Sequence, residues 1–120
     1  MIVLDANYIL RYLIDDNHVR YLKSKETIES NACLVLNEVV AEVIYVLKGV
    51  YKTLREKIVQ SLIDFIEMEN LSMHESKEIL VVALKLYESK NLDFIDCYLC
   101  ALKEKHTVKT FDKKLMKCVG

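Results

Sequence analysis

The chain opens on a short continuous apolar run, Met1-Ile2-Val3-Leu4, that stops at Asp5. A run this short, β-leaning and without alternation, reads as a strand buried on both faces. Helical spacing follows over 7 to about 14 through Tyr8, Leu10, Arg11 and Leu13; Asp15-Asp16-Asn17 breaks it, and a second helix is expected from about 18 to 29. Residues 32–36 form the next apolar run, a second buried strand, with Asn37 where a helix N-cap belongs. The helix from 38 to about 48 turns Val39, Val40, Val43, Ile44, Val46 and Leu47 inward. Glu42 falls at the border of that arc, about 40° from Val46. Gly49 ends this helix. Beyond it the pattern predicts a long amphipathic helix over 51–68, a short strand over 71–73 and a helix from 75 to about 88 with Ile79, Val82, Ala83 and Leu86 inward. A helix opening at Asp93, a strand over 107–111 ending at Asp112, and a short helix carrying Leu115 and Met116 complete the chain.

Strands alternating with helices imply an α/β fold with a mainly parallel sheet. Sites in such folds form beyond the carboxyl ends of the strands. Asp5 and Asp112 end expected strands, Asp93 and Asp96 begin a helix that enters from the same side, and Glu42 sits one turn into the helix after the second strand. The segment 94–102 is apolar almost all round, so its helix is expected to be largely buried. A carboxylate there is costly unless it is paired, hydrogen-bonded or bound to metal. Capping explains Asp93 as readily as function does; Asp96, inside the apolar surround, asks for more.

Composition narrows the classes. With 120 residues, 52% hydrophobic and no proline, the chain is one domain, 1–120, with a real core. The apolar share points to a covering partner. A net charge of −1 excludes a polycation, yet Lys103, Lys105, Lys109, Lys113, Lys114 and Lys117 face only Glu104 and Asp112 in the last twenty residues. That is either a solvated helix face or a track for phosphates, with Lys113 nearest the acids. The four cysteines include Cys97-x-x-Cys100, but no second pair completes a zinc site, so all four are expected as buried thiols in a reducing compartment. The longest apolar runs fall far short of a membrane span, and Asp5 comes too soon for a signal peptide; a cytoplasmic location without membrane contact is expected.

Clustered carboxylates repel one another unless a cation neutralises them. Magnesium and manganese take such oxygen ligands, and ions of this kind polarise a phosphodiester and generate hydroxide. The chain has no Gly-rich phosphate loop, no HExxH and only three scattered histidines, His18, His74 and His106. Metal-assisted hydrolysis fits better than a protein acid/base pair.

Leu4-Asp5-Ala6-Asn7 followed by Ile9-Leu10-Arg11-Tyr12-Leu13, then Val39-Val40-Ala41-Glu42-Val43-Ile44-Tyr45-Val46-Leu47, then Asp93-Phe94-Ile95-Asp96-Cys97, then Thr110-Phe111-Asp112-Lys113, resemble in order and spacing a PIN domain. The single compact domain is similar to the VapC-type toxins of toxin–antitoxin pairs. The resemblance implies a three-layer α/β/α sandwich and a Mg²⁺- or Mn²⁺-dependent endoribonuclease. Asp5, Glu42 and Asp96 match the family's main metal-binding acids, Asp112 the fourth, and Asp93 an additional one. Thr110 matches a small hydroxyl residue beside the fourth acid. The resemblance further implies a homodimer acting on RNA and restrained by a small antitoxin protein. Ala6 departs from the Thr or Ser often found after the first Asp, which removes a hydrogen bond that could support a metal ligand. An RNA-processing nuclease and a non-catalytic RNA- or protein-binding relative are the alternatives. A receiver module would want an acidic pair after the first strand and a phosphorylatable Asp after the third, where His74 stands, and a haloacid-dehalogenase-type phosphatase would need a second acid that Asp5-Ala6-Asn7 lacks.

Overall fold

A computed structural model describes all 120 residues. Three short strands, β1 (Ile2–Val3), β2 (Cys33–Val35) and β3 (Leu71–Met73), form a parallel sheet in the order β1-β2-β3. Ile2 stands opposite Cys33, and Cys33, Leu34 and Val35 stand opposite Leu71, Ser72 and Met73. Parallel neighbours require long returns. Helices α1 (Ala6–Leu13) and α2 (His18–Glu29) lead from β1 to β2, and α3 (Asn37–Gly49) and α4 (Arg55–Ile66) lead from β2 to β3. After β3 come α5 (Lys77–Ser89), α6 (Phe94–Ala101), a single 3-10 turn (Leu102–Glu104) and α7 (Lys113–Val119). The architecture is the expected α/β sandwich, with three parallel strands and seven α-helices.

The apolar periods that announce the helices also make the core. Val40, Val43, Ile44 and Leu47 of α3, Ile58, Val59, Leu62, Phe65 and Ile66 of α4, and Ile79, Leu80, Ala83, Leu84 and Tyr87 of α5 are all buried. They join Cys33 and Val35 of the central strand in one 26-residue cluster. Arg55, the first residue of α4, fastens the far corner: one of its Nη atoms donates to the carbonyls of Tyr87, Lys90 and Leu92 at 2.9, 3.1 and 2.7 Å. Its guanidinium lies 4.1 Å from the Tyr87 ring centroid. The turn from α5 into α6, and with it Asp93, is thereby held from a third helix.

Several expectations are corrected. Residues 107–111 form no strand. Their apolar β-type residues find no ladder, because the sheet ends at β1, and Phe111 is 99% exposed. For the same reason β1 is an edge strand rather than one buried on both faces, and Val3 is 61% exposed. Asn37 does not cap α3: the cap position is Leu36, and the Asn37 amide instead donates to the Tyr98 hydroxyl at 2.6 Å, drawn across to α6. The helix expected from 51 begins only at Arg55, since the chain first turns through Lys52 at a positive φ of 56°. Cys100 and Cys118 are not thiols but a disulfide joining α6 to α7. Packing of the two helices brings their Cα atoms to 5.8 Å, a proximity that a separation of 18 residues does not announce. Cys33 and Cys97 are buried free thiols as expected.

Candidate active site

Four of the singled-out acids stand at helix N-termini, where the helix field favours negative charge. Asp5 caps α1, its Oδ1 accepting from the Tyr8 N–H at 2.8 Å. Asp93 caps α6 by accepting from the Asp96 N–H at 2.9 Å. Asp112 caps α7 by accepting from the Leu115 N–H at 2.8 Å, and its own N–H donates to Thr110 Oγ1 at 3.0 Å. Thr110 thus turns the chain so that Asp112 reaches its helix. Each cap occupies Oδ1; Oδ2 of Asp5 and of Asp112 has no hydrogen-bond partner, whereas the Asp93 carboxyl also lies in hydrogen-bond reach of the Asp96 carboxyl. Caps of this kind are worth about 1 kcal/mol, so these three acids have a structural use whatever else they do.

Asp96 is different. It lies in the first turn of α6, half-buried, and no cation pairs with it, the ion pairs being Arg11–Asp16, His18–Asp15 and Lys25–Glu29. Its carboxyl is held above the ordinary value by burial first, then by the charges of Asp93 and Asp112. The structure therefore brings Asp93, Asp96 and Asp112 within mutual influence. Asp5 and Glu42 are not among the groups acting on Asp96; Glu42 stands exposed on α3 without an ion pair. Ala6 is buried in the core below Asp5 and brings no hydroxyl. Lys113, exposed at the start of α7, follows Asp112 directly.

The oxygen donors suit a hard divalent cation in kind. In arrangement they do not close around one, for no three His, Cys, Asp or Glu side chains converge on a common metal position. Thiol chemistry is no substitute: burial pushes Cys97 up to about 11 and raises Cys33, so both remain protonated and inert at neutral pH.

Two surroundings of the acids escape a reading of the sequence for carboxylates alone. Beside Asp5, Arg11, Arg20 and Lys23 of α1 and α2 line a polar recess of about 240 Å³, and neither Arg20 nor Lys23 is in an ion pair. Beside Asp93, an apolar groove of about 510 Å³ runs between α3 and α6, walled by Ile44, Tyr45, Phe94 and Ile95 and rimmed by Lys48 and Lys52. The spacing of Ala41, Ile44, Tyr45 and Lys48 along α3 was the available signal for the groove.

The chain is a parallel α/β sandwich with acids at the mouths of its helices. The profile of the PIN domain matches residues 2–118, nearly the whole chain, and the protein belongs to the PIN domain family. Comparison with curated proteins and with solved structures returned no match. No helix is long and apolar enough to cross a membrane.

Proposed function

We propose that this PIN domain is a Mg²⁺- or Mn²⁺-dependent endoribonuclease, the toxin of a type II toxin–antitoxin pair, acting as a homodimer and restrained by a small antitoxin. The observation that carries the hydrolase reading is the gathering of Asp93, Asp96 and Asp112 at the mouths of α6 and α7, in a chain of this family. Asp96 has neither a cation nor a capping duty to account for it. The carboxylates of Asp93, Asp96 and Asp112 would hold the cation only once drawn closer together than they stand in the chain alone; Asp5 and Glu42 are the further acids the family pattern assigns. Bound there, a divalent ion supplies Lewis acidity and an activated water. The chain's own residues position the nucleic acid: Arg20 and Lys23 beside Asp5, and Lys113 beside Asp112, offer cations to flanking phosphates. The non-catalytic alternative draws on one observation, that no three ligating groups converge as the chain stands.

Thermal unfolding with and without Mn²⁺ separates the readings. A site filled at 100 times its Kd adds about 2.7 kcal/mol to stability. The native chain is expected to shift and to cleave RNA, and Asp96→Asn to do neither while remaining folded. Asp112→Asn adds a control, since asparagine caps a helix as well as aspartate does: lost cleavage with retained stability separates the acid's charge from its cap. A native protein indifferent to millimolar Mn²⁺, or full cleavage by Asp96→Asn, would end the metallonuclease assignment.

A further inference from the structure

The groove between α3 and α6 is continuous with the acids through Asp93, which lines its edge. Its wall carries Tyr45, a ring 79% exposed. The floor is the buried Tyr87 ring, with the Arg55 guanidinium 4.1 Å and the Lys48 ammonium 6.0 Å from its centroid. Lys48 and Lys52 face no acid in an ion pair, so the rim is positive against the single carboxylate of Asp93. Lys52 adds an independent signal. It alone among the non-glycine residues has a positive φ, 56°, in a turn fixed by the Thr53 N–H donating to the Leu47 carbonyl at 2.9 Å. Glycine is the unstrained choice for that backbone. A lysine held there against strain keeps a cation at the groove's lip, the kind of cost that collects at binding sites.

Resting on the nuclease reading, we propose that this groove receives one unpaired nucleobase of a single-stranded RNA, with Tyr45 as the stacking face and Lys48 and Lys52 on the adjoining phosphates. Apolar walls, an open aromatic ring and two ammonium groups without an acid partner together match a ligand that is flat, apolar on its faces and anionic along its backbone. A volume of about 510 Å³ suits one ring system with its sugar. An amphipathic protein helix instead lays a row of apolar anchors into a longer channel. A duplex keeps its bases stacked and offers none to the groove.

The test is fluorescence anisotropy in EDTA, so that nothing is cleaved, using a labelled single-stranded RNA octamer and an all-abasic strand of equal length. Tyr45→Ala, at an exposed position, should weaken octamer binding about tenfold and leave the abasic strand unaffected. Lys52→Gly, which also relieves the backbone, should weaken both strands about threefold. Unchanged octamer affinity in Tyr45→Ala overturns the base site, and is the result expected if the groove serves a protein segment instead. Equal losses on both strands overturn it as well. Cleavage of a longer RNA in Mn²⁺ is scored separately. Cleavage by the native chain with no effect of Tyr45→Ala on binding removes the groove and leaves the nuclease. Base-dependent binding without any cleavage leaves the groove and removes the nuclease.

Discussion

At the scale of the residue, the acids divide by what holds them. Asp5, Asp93 and Asp112 are bonded to helix N–H groups, whereas Asp96 is set among like charges with no cation. Because the folded state raises the Asp96 carboxyl above its unfolded value, protonation favours folding. That contribution is complete below the unfolded carboxylate range and is lost as pH rises through the folded value. Asp96→Asn is therefore expected to unfold at a higher temperature than the native chain at pH 7, by up to about 1 kcal/mol of stability, with the gain shrinking as pH falls through the carboxylate range. Thermal scans of both proteins at neutral and acid pH read this directly; a variant less stable at neutral pH would contradict the repulsion. Lys52→Gly is expected to stabilise by about 1 kcal/mol through release of the left-handed backbone, measured by urea unfolding. The acids themselves were legible in the sequence, since an aspartate inside an apolar helix pattern stands out. Their capping bonds were legible only for Asp93, because capping depends on where each helix starts.

At the scale of the element, the segment after α6 is where pattern and structure part. Residues 107–111 carry strand residues without a strand, and α7 is placed by a covalent bond instead of by sheet pairing. Leu115 is its single fully buried side chain, Lys103 Nζ donates to the Cys118 carbonyl at 2.8 Å, and the Cys100–Cys118 disulfide closes the loop. Closing a loop of 18 residues is worth about 3 kcal/mol. Cys118→Ser, or reduction of the native chain, is expected to lower stability by about that amount and to speed amide exchange in α7 ahead of the rest. Thiol titration of the denatured, unreduced protein should find two of its four cysteines; four would refute the bond. Because α7 carries Asp112 at its start, loosening it also weakens whatever Asp112 and Asp96 do jointly. Arg55 plays the matching part at the other end of α6, and Arg55→Ala, which leaves three carbonyls without their shared donor, should cost about 2 kcal/mol in denaturant unfolding.

At the scale of the whole molecule, the surface retains more apolar residues than the core required. Val19, Leu22, Val50, Leu54, Val82 and Phe111 are all exposed. Scattered apolar residues are ordinary, but this chain spends them on several faces of a small domain. The proposed homodimer predicts a mass near 28 kDa by light scattering, twice the 14.0 kDa chain. A monomer at micromolar concentration that also ignores the product of a neighbouring gene would remove the toxin reading and leave the nuclease reading in place.

The sequence by itself determined the class of fold, the helices with strong apolar periods, the positions of the three short strands and the family. These follow from local spacing, which needs no knowledge of what packs against what. β3 at 71–73 and α2 at 18–29 fall where the pattern places them. Tertiary structure alone decided that β1 is an edge, that 107–111 goes unpaired, that Cys100 meets Cys118, and that Tyr45, Lys48 and Lys52 share one groove with Asp93. Each of these depends on the relative placement of elements distant in sequence. Periodicity tells which side of a helix is buried; only the packed chain settles which partner it is buried against, and so which charges and rings end as neighbours.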